Sequence, residues 1–357
     1  MTVLSMTDDE TFVGFLGAAK KASEELSKES GDNLVASYVY GSLARGDYRE
    51  SSDVDLHIVL RDYAQAESIT HTKWVGSIPV GVSPHPLSFY QTTPEWILEH
   101  VDAAAHWEGL WELAKIIILH DPRNVVSTFQ NKIIPILNNK ALLKTRARLS
   151  FGTVKTEAAK VRKETGEDAI IQAICHMYAL GGGGDAYSGA AVHVLKTVVR
   201  FSGLPLTTQR IWLRFVEACS KLDKPELKSL MEDCYGVSQL SQSSLQEIAD
   251  ESCSLIDLAI EGPLVSTEAT CDLKRFKMAV TEHLEMGETG ALCVYTLGNF
   301  SANYLGLNME GRQNQIGKKL EELIYRTSGV RSPEDLEERM KPLQKAMDMI
   351  QKELLEN

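Results

Sequence analysis

Two short runs rich in β-branched and aromatic residues constrain this chain more than anything else in it: Leu34-Val35-Ala36-Ser37-Tyr38-Val39-Tyr40 and Val54-Asp55-Leu56-His57-Ile58-Val59-Leu60. Their length and composition predict strands over 34–40 and 54–60. The first runs straight into Gly41-Ser42, where the free amides at the start of a short helix and the Ser42 hydroxyl suit an anionic phosphate. The second alternates, with Val54, Leu56, Ile58 and Leu60 on one face and Asp55, His57 and Val59 on the other, so one side meets a core and the other is open to chemistry. Asp53 and Asp55, two residues apart at the head of that strand, point the same way. Two adjacent carboxylates repel unless a cation lies between them. Together the parts suggest a triphosphate bridged by Mg²⁺ to a carboxylate pair, the arrangement that phosphoryl and nucleotidyl transfer require.

Gly41-Ser42, then Arg45-Gly46, then Ser52-Asp53-Val54-Asp55-Leu56 resembles the signature of the DNA polymerase β-like nucleotidyltransferases. The likeness is to the branch with the antibiotic (aminoglycoside, lincosamide) and minimal nucleotidyltransferases. It covers roughly residues 10–90, with a looser likeness through Lys115–Pro122, where relatives carry a helix-ending Asp-Pro. The resemblance implies an α+β nucleotidyltransferase fold, a short mixed β-sheet backed by helices, followed by a mainly α-helical region. It further implies Mg²⁺ as cofactor, Asp53 and Asp55 as catalytic metal ligands, and Gly41 and Ser42 as the binders of the nucleotide phosphates. Arg45 either adds charge to that nucleotide site or makes an exposed salt bridge.

The family's usual third carboxylate, from a later strand, is missing: no Asp or Glu occurs between Glu67 and Glu95, and the candidate strand Ile78–Val82 presents Gly81 where an acid is expected. Its proline marks that strand as short or at an edge. A helical acid, Glu99, Asp102, Glu108 or Glu112, is one substitute, since some relatives use a helical glutamate; water exposure is the simpler fate of each. His85 in Ser83-Pro84-His85-Pro86 is another candidate for the site. The remaining option is a domain that keeps the fold and nucleotide pocket but not the transfer. His57 either contacts substrate or packs in the sheet. Trp107 and Trp111 either stack a planar substrate or form a core stripe at helical spacing.

Thr7-Asp8-Asp9-Glu10 reads as a capping box opening a helix that ends near Ser30. After Tyr90 strand signals largely stop. A helix is expected from Pro94 to Leu119, and further helices follow, with breaks at Asn138-Asn139, residues 181–184, Gly203-Leu204-Pro205, Gly236, residues 262–263 and Ser328-Gly329. Ser332 caps the last helix, which Pro342 is expected to kink or interrupt. The four glycines at 181–184 lack the Lys-Ser/Thr of a phosphate loop and read as a helix connection. The expected domains are 1–92 and 93–357, the latter divided near 262–263.

With 37 Lys+Arg against 49 Asp+Glu, the net charge is −12. Residues 1–90 hold 13 acids and 7 bases, which disfavours a nucleic-acid partner and any RNA end-adding activity. The opening residues lack a basic, then apolar, leader, and no apolar run spans a bilayer, so the expected place is the cytoplasm. The six cysteines are never closer than 15 positions and read as reduced thiols. The expected function is Mg²⁺-dependent transfer of a nucleoside monophosphate from an NTP to a hydroxyl of a small molecule or protein, releasing pyrophosphate. The alternative is a catalytically weakened nucleotide-binding or protein-interaction module. A homo-oligomer built through the helical region is a further expectation.

Overall fold

The computed structural model describes residues 9–69, 71–164, 169–180, 188–207, 209–260, 267–309 and 315–356. Two compact units divide the chain, Met1–Leu142 and Leu143–Asn357. The boundary expected at residue 92 lies inside the first. The expected breaks at 181–184 and 262–263 lie outside the described residues, as does Thr7 of the expected capping box.

Helix α1 (Glu10–Ser30) opens on Asp9, whose carboxylate accepts from the amides of Thr11 (2.8 Å) and Phe12 (3.4 Å). The cap among the described residues is Asp9. Strand β1 (Leu34–Tyr40) leads into the short helix α2 (Gly41–Arg45), and β2 (Val54–Leu60) follows. Next come β3 (Thr72–Val75), β4 (Ile78–Pro86), α3 (Leu87–Tyr90), α4 (Pro94–Glu99), α5 (Val101–Ala104), α6 (Gly109–Glu112), β5 (Ile117–His120) and α7 (Val125–Ile133). The five strands form one mixed sheet in the order β3-β4-β2-β1-β5, parallel only between β2 and β4.

Two expectations change here. The single helix expected over 94–119 is three short helices and a strand. The β-branched run at Ile116–Ile118 pairs instead with the free edge of β1, Val39 opposite Ile117, so Asp121-Pro122 follows a strand. Asp121 then opens α7, accepting from Val125 N at 2.7 Å and Ser127 N at 3.0 Å.

The proline-bearing strand, expected short or at an edge, is the nine-residue β4 between β3 and β2. Alternate residues of a strand address opposite neighbours. Val82 N donates towards β3's side, to His71 O at 2.6 Å. Pro84 and Pro86 share its parity, so their missing N–H groups fall on the side where β3 has already ended. The ladder to β2 continues to Leu60 opposite Pro86.

The alternation of β2 divides the sheet into two faces. Val54, Leu56, Ile58 and Leu60, with Val39, Val80 and Val82, pack on Phe15, Ala18, Ala19, Ala22 and Leu26 of α1. Burying each large aliphatic side chain of this layer stabilises the unit by about 1.5–3 kcal/mol. The opposite face carries Tyr38, Tyr40, Asp55, His57, Gly81, Ser83 and His85.

The second unit is helical: α8 (Lys140–Val161, begun in the last residues of the first), α9 (Ala169–Tyr178), α10 (Ala190–Ser202), α11 (Ile211–Lys221), α12 (Pro225–Tyr235), α13 (Gln242–Ile260), α14 (Thr267–Glu285), α15 (Thr289–Met309), α16 (Gln315–Ser328) and α17 (Pro333–Met349). Asn139 caps α8, and left-handed glycines follow α10, α12 and α16 at Gly203, Gly236 and Gly329. The capping box at Ser332 and Asp335 opens α17, which runs through Pro342 without a break and ends in a π-helical turn over Ile350–Leu355. Arg339 of α17 caps α12, donating to Asp233 O at 2.8 Å; a Cβ on Gly236 would lie 2.3 Å from its guanidinium. Cys175, Cys219, Cys234 and Cys293 are buried free thiols, each raised by burial to about 12. The side chain of Cys271 lies outside the described residues. No described helix is long and apolar enough to cross a membrane.

Candidate active site

The strand-to-helix turn at Gly41 sets the geometry. Gly41 has φ +72°, a backbone conformation that costs a side-chain-bearing residue about 1–2 kcal/mol. A Cβ placed there would sit 2.0 Å from Asp55 Oδ2. Glycine therefore lets the Asp55 carboxylate lie directly against the first residue of α2. The antiparallel register puts Tyr40 opposite Asp55, and the parallel register puts Gly81 on Asp55's other side. The strand position expected to supply a third acid is thus adjacent to Asp55 and carries no side chain.

Asp53 arrives by a tight turn in which Arg49 N donates to Ser52 Oγ (3.0 Å) and Ser52 N to Arg49 O (2.9 Å). The preceding loop is anchored to α1 by Tyr48, whose hydroxyl donates to Asp9 Oδ2 at 2.6 Å while its ring packs on Phe12 and Phe15. That hydrogen bond is the chief reason the Asp9 carboxyl is held below its ordinary value. Asp53 and Asp55 are both half-buried. Ser42 is half-buried in the first turn of α2, and its carbonyl accepts from Gly46 N and Asp47 N. Arg45 makes a salt bridge, Nε to Asp47 Oδ1 at 3.3 Å, with its side chain largely covered and not exposed as expected.

Of the four helical acids, the fold draws in Glu112. Glu99 and Asp102 are exposed, and Glu108 is half-buried. Glu112 Oε2 lies 3.9 Å from His57 Nε2, beneath the sheet face that carries Asp55. Burial, followed by the charges of Asp55, Glu112 and Asp53, raises the Tyr40 phenol far above its usual range. The charges of three carboxylates are thus felt at one tyrosine hydroxyl. Lys115, named above only as the first residue of the looser likeness, lies three residues beyond Glu112 and donates to Arg45 O at 2.5 Å. A lone lysine between an apolar helix and an apolar strand carries no motif by which to find it.

His57 is buried, so this face is less open than the alternation suggested. Its ring lies 3.6 Å from that of Tyr40 and 4.1 Å from that of His85. Burial, then His85, keeps His57 well below its ordinary value, and burial takes His85 down to about 4. Both rings are therefore neutral at pH 7. His85 packs towards Phe89 and Tyr90, away from the role of an exposed acid or base. Trp111 is buried, while Trp107 stacks on Trp96 at 5.4 Å with the planes 10° apart.

Among the described residues no three His, Cys, Asp or Glu side chains are already grouped as a metal site. The donor set nevertheless fits Mg²⁺. This ion is typically held by one or two carboxylates and completes its shell from phosphates and water rather than from a protein cage. Asp53 and Asp55, hard oxygen donors beside the Gly41 turn, meet that requirement.

Residues 19–134 match the family described as "Nucleotidyltransferase domain". Among solved structures, the chain is similar to a nucleotidyltransferase-like protein from Exiguobacterium sibiricum 255-15, with 12% identity over 87% of this chain and 88% of that one and a TM-score of 0.33. No curated protein matches it.

Proposed function

With residues 19–134 a nucleotidyltransferase domain of the polymerase β-like superfamily, we propose that the protein transfers a nucleoside monophosphate from an NTP to a hydroxyl of a small-molecule or protein acceptor, with Mg²⁺ as cofactor. The observation that carries this reading is the sheet face on which Asp55 lies against a turn that only glycine allows, between Tyr40 and Gly81, with Glu112 facing His57 of the same strand. Ser42 and the amides at the start of α2 hold the β- and γ-phosphates. Arg45 and Lys115 supply positive charge at the far end of that helix. Asp53 and Asp55 hold Mg²⁺, which when bound offsets the triphosphate charge and makes the acceptor hydroxyl more acidic.

Glu112, on the same face, takes the acceptor's proton as its oxygen bonds to the α-phosphorus. The bond from that phosphorus to the bridging oxygen breaks, and pyrophosphate leaves with the electron pair. Glu112 thereby fills the role left vacant at Gly81. It supplies a base and not a third strand ligand.

Calorimetric titration of ATP, GTP, CTP and UTP, with and without Mg²⁺, tests the nucleotide site. Binding that needs the metal and disappears in the Asp53→Ala/Asp55→Ala double variant is the expected result. Absence of binding to all four by folded protein overturns the reading. Glu112→Gln is expected to keep Mg²⁺–NTP binding and lose roughly 10²–10⁴-fold in pyrophosphate release in an acceptor screen, the range usual for a general base. Gly81 favours a second reading, a nucleotide-binding module without transfer; nucleotide binding with no release against any acceptor would select it.

A further inference from the structure

A continuous polar thread crosses the buried face of the sheet. Tyr90 Oη lies 2.7 Å from Tyr38 Oη, Tyr38 Oη lies 2.8 Å from His57 Nδ1, and His57 Nε2 faces Glu112 Oε2 at 3.9 Å. Both tyrosines and His57 are buried. A neutral imidazole carries one proton, on either Nδ1 or Nε2. With the proton on Nδ1, the bare lone pair of Nε2 would face a carboxylate. With it on Nε2, a donor faces that carboxylate, and Nδ1 accepts from the Tyr38 hydroxyl, which in turn accepts from Tyr90. Only the second arrangement is favourable at both ends.

We propose that His57 is a positioning residue for Glu112: the acceptor-only carboxylate selects the Nε2–H tautomer, the Tyr90–Tyr38 hydroxyl pair holds the ring by donating to Nδ1, and the ring aims its single proton at the Glu112 carboxylate. This rests on the reading of Glu112 as the base. The rings of Tyr40 and His85 on either side hold the imidazole plane, so its direction is set by packing as well as by hydrogen bonds. At 3.9 Å the pair is beyond direct hydrogen-bond length, and catalytic contacts of this kind commonly shorten when substrates bind. The single donor orients one carboxylate oxygen towards the ring and leaves the other turned to the acceptor.

The test is long-range ¹H–¹⁵N spectroscopy of the histidine rings in the full chain, with His57 assigned by its loss in His57→Gln. The wild type is expected to show a protonated Nε2 and an unprotonated Nδ1. Tyr38→Phe deletes one hydroxyl, and Glu112→Ala removes a half-exposed side chain, so neither leaves a large cavity. Glu112→Ala is expected to introduce an Nδ1–H fraction, which a merely packed histidine would not do, while Tyr38→Phe is expected to keep Nε2–H and shift the Nδ1 resonance through loss of its hydrogen bond. A wild-type ring protonated on Nδ1, or a His57 signal unchanged in Glu112→Ala, overturns the proposal. Titration of the same wild-type sample with Mg²⁺–ATP, –GTP, –CTP and –UTP separates the two levels. A tautomer as expected without nucleotide binding counts against the transferase reading, whereas binding with the wrong tautomer counts against the positioning role alone. In an acceptor reaction, Tyr38→Phe is expected to lower kcat by about 10-fold or more with KM unchanged, in keeping with loss of an outer-shell orienting group.

Discussion

Gly41 and Asp55 are coupled by a contact that any side chain at residue 41 would occupy. Gly41→Ala is therefore expected to lower unfolding free energy by about 1–2 kcal/mol from backbone strain alone, read by urea denaturation. By displacing the carboxylate it should also weaken Mg²⁺-dependent nucleotide binding as strongly as Asp55→Ala does. Histidine burial gives a second expectation. An unfolded chain protonates its histidines near pH 6.5, while folded His85 stays neutral to about 4 and burial keeps folded His57 well below its ordinary value. Between pH 6.5 and 4 the unfolded state thus binds more protons, and stability falls on acidification by up to about 1.4 kcal/mol per pH unit for each ring. Urea midpoints at pH 7 and pH 5 should show the drop, and His85→Phe should reduce it. At this scale the sequence was most legible where chemistry is local: Gly41, Ser42, Asp53 and Asp55 are placed by the two strands that flank them. Glu112 could not be chosen from four equivalent helical acids, because nothing short of the tertiary fold distinguishes the one that faces His57.

Strands β1 and β2 and helix α1 follow from periodicity and length, since each is bounded by turn residues and shows one clear pattern. Strand β5 does not. Its four residues continue an apolar run from the preceding helices, and such runs carry no period that separates helix from strand. It is fixed by the unpaired edge of β1, a partner some 80 residues earlier in the chain. The same applies to β4, where three prolines argue against an interior strand until the donor pattern of its neighbours is known. Helix α1 has a further duty through its cap, because Asp9 both caps the helix and ties down the loop before Asp53 through Tyr48. Tyr48→Phe is expected to leave the helix content unchanged by circular dichroism while accelerating hydrogen exchange over residues 46–53; equal exchange in both proteins would show that the anchor is idle.

The two compact units make different demands on the chain as a whole. The first needs β5 and α7 as well as the segment that carries the motifs, so a fragment ending at residue 92 lacks the strand that closes β1 and the Phe129 ring that packs on Tyr90. Residues 1–142 alone are expected to unfold in one sharp transition and residues 1–92 to show none, as followed by circular dichroism on heating. The helical unit was legible as helices, and the stops at Gly203, Gly236 and Gly329 were legible as breaks; that they are left-handed caps, where glycine is favoured, comes from the fold. The prolines of β4 bear on how copies of the molecule behave towards each other. A sheet edge presenting alternating donors and acceptors invites a strand from a neighbouring molecule, and this invitation underlies much fibrous aggregation. Along the stretch of β4 that β3 leaves uncovered, Pro84 and Pro86 withhold the donors an incoming strand would need, so the sheet ends there for its neighbours as well as for itself.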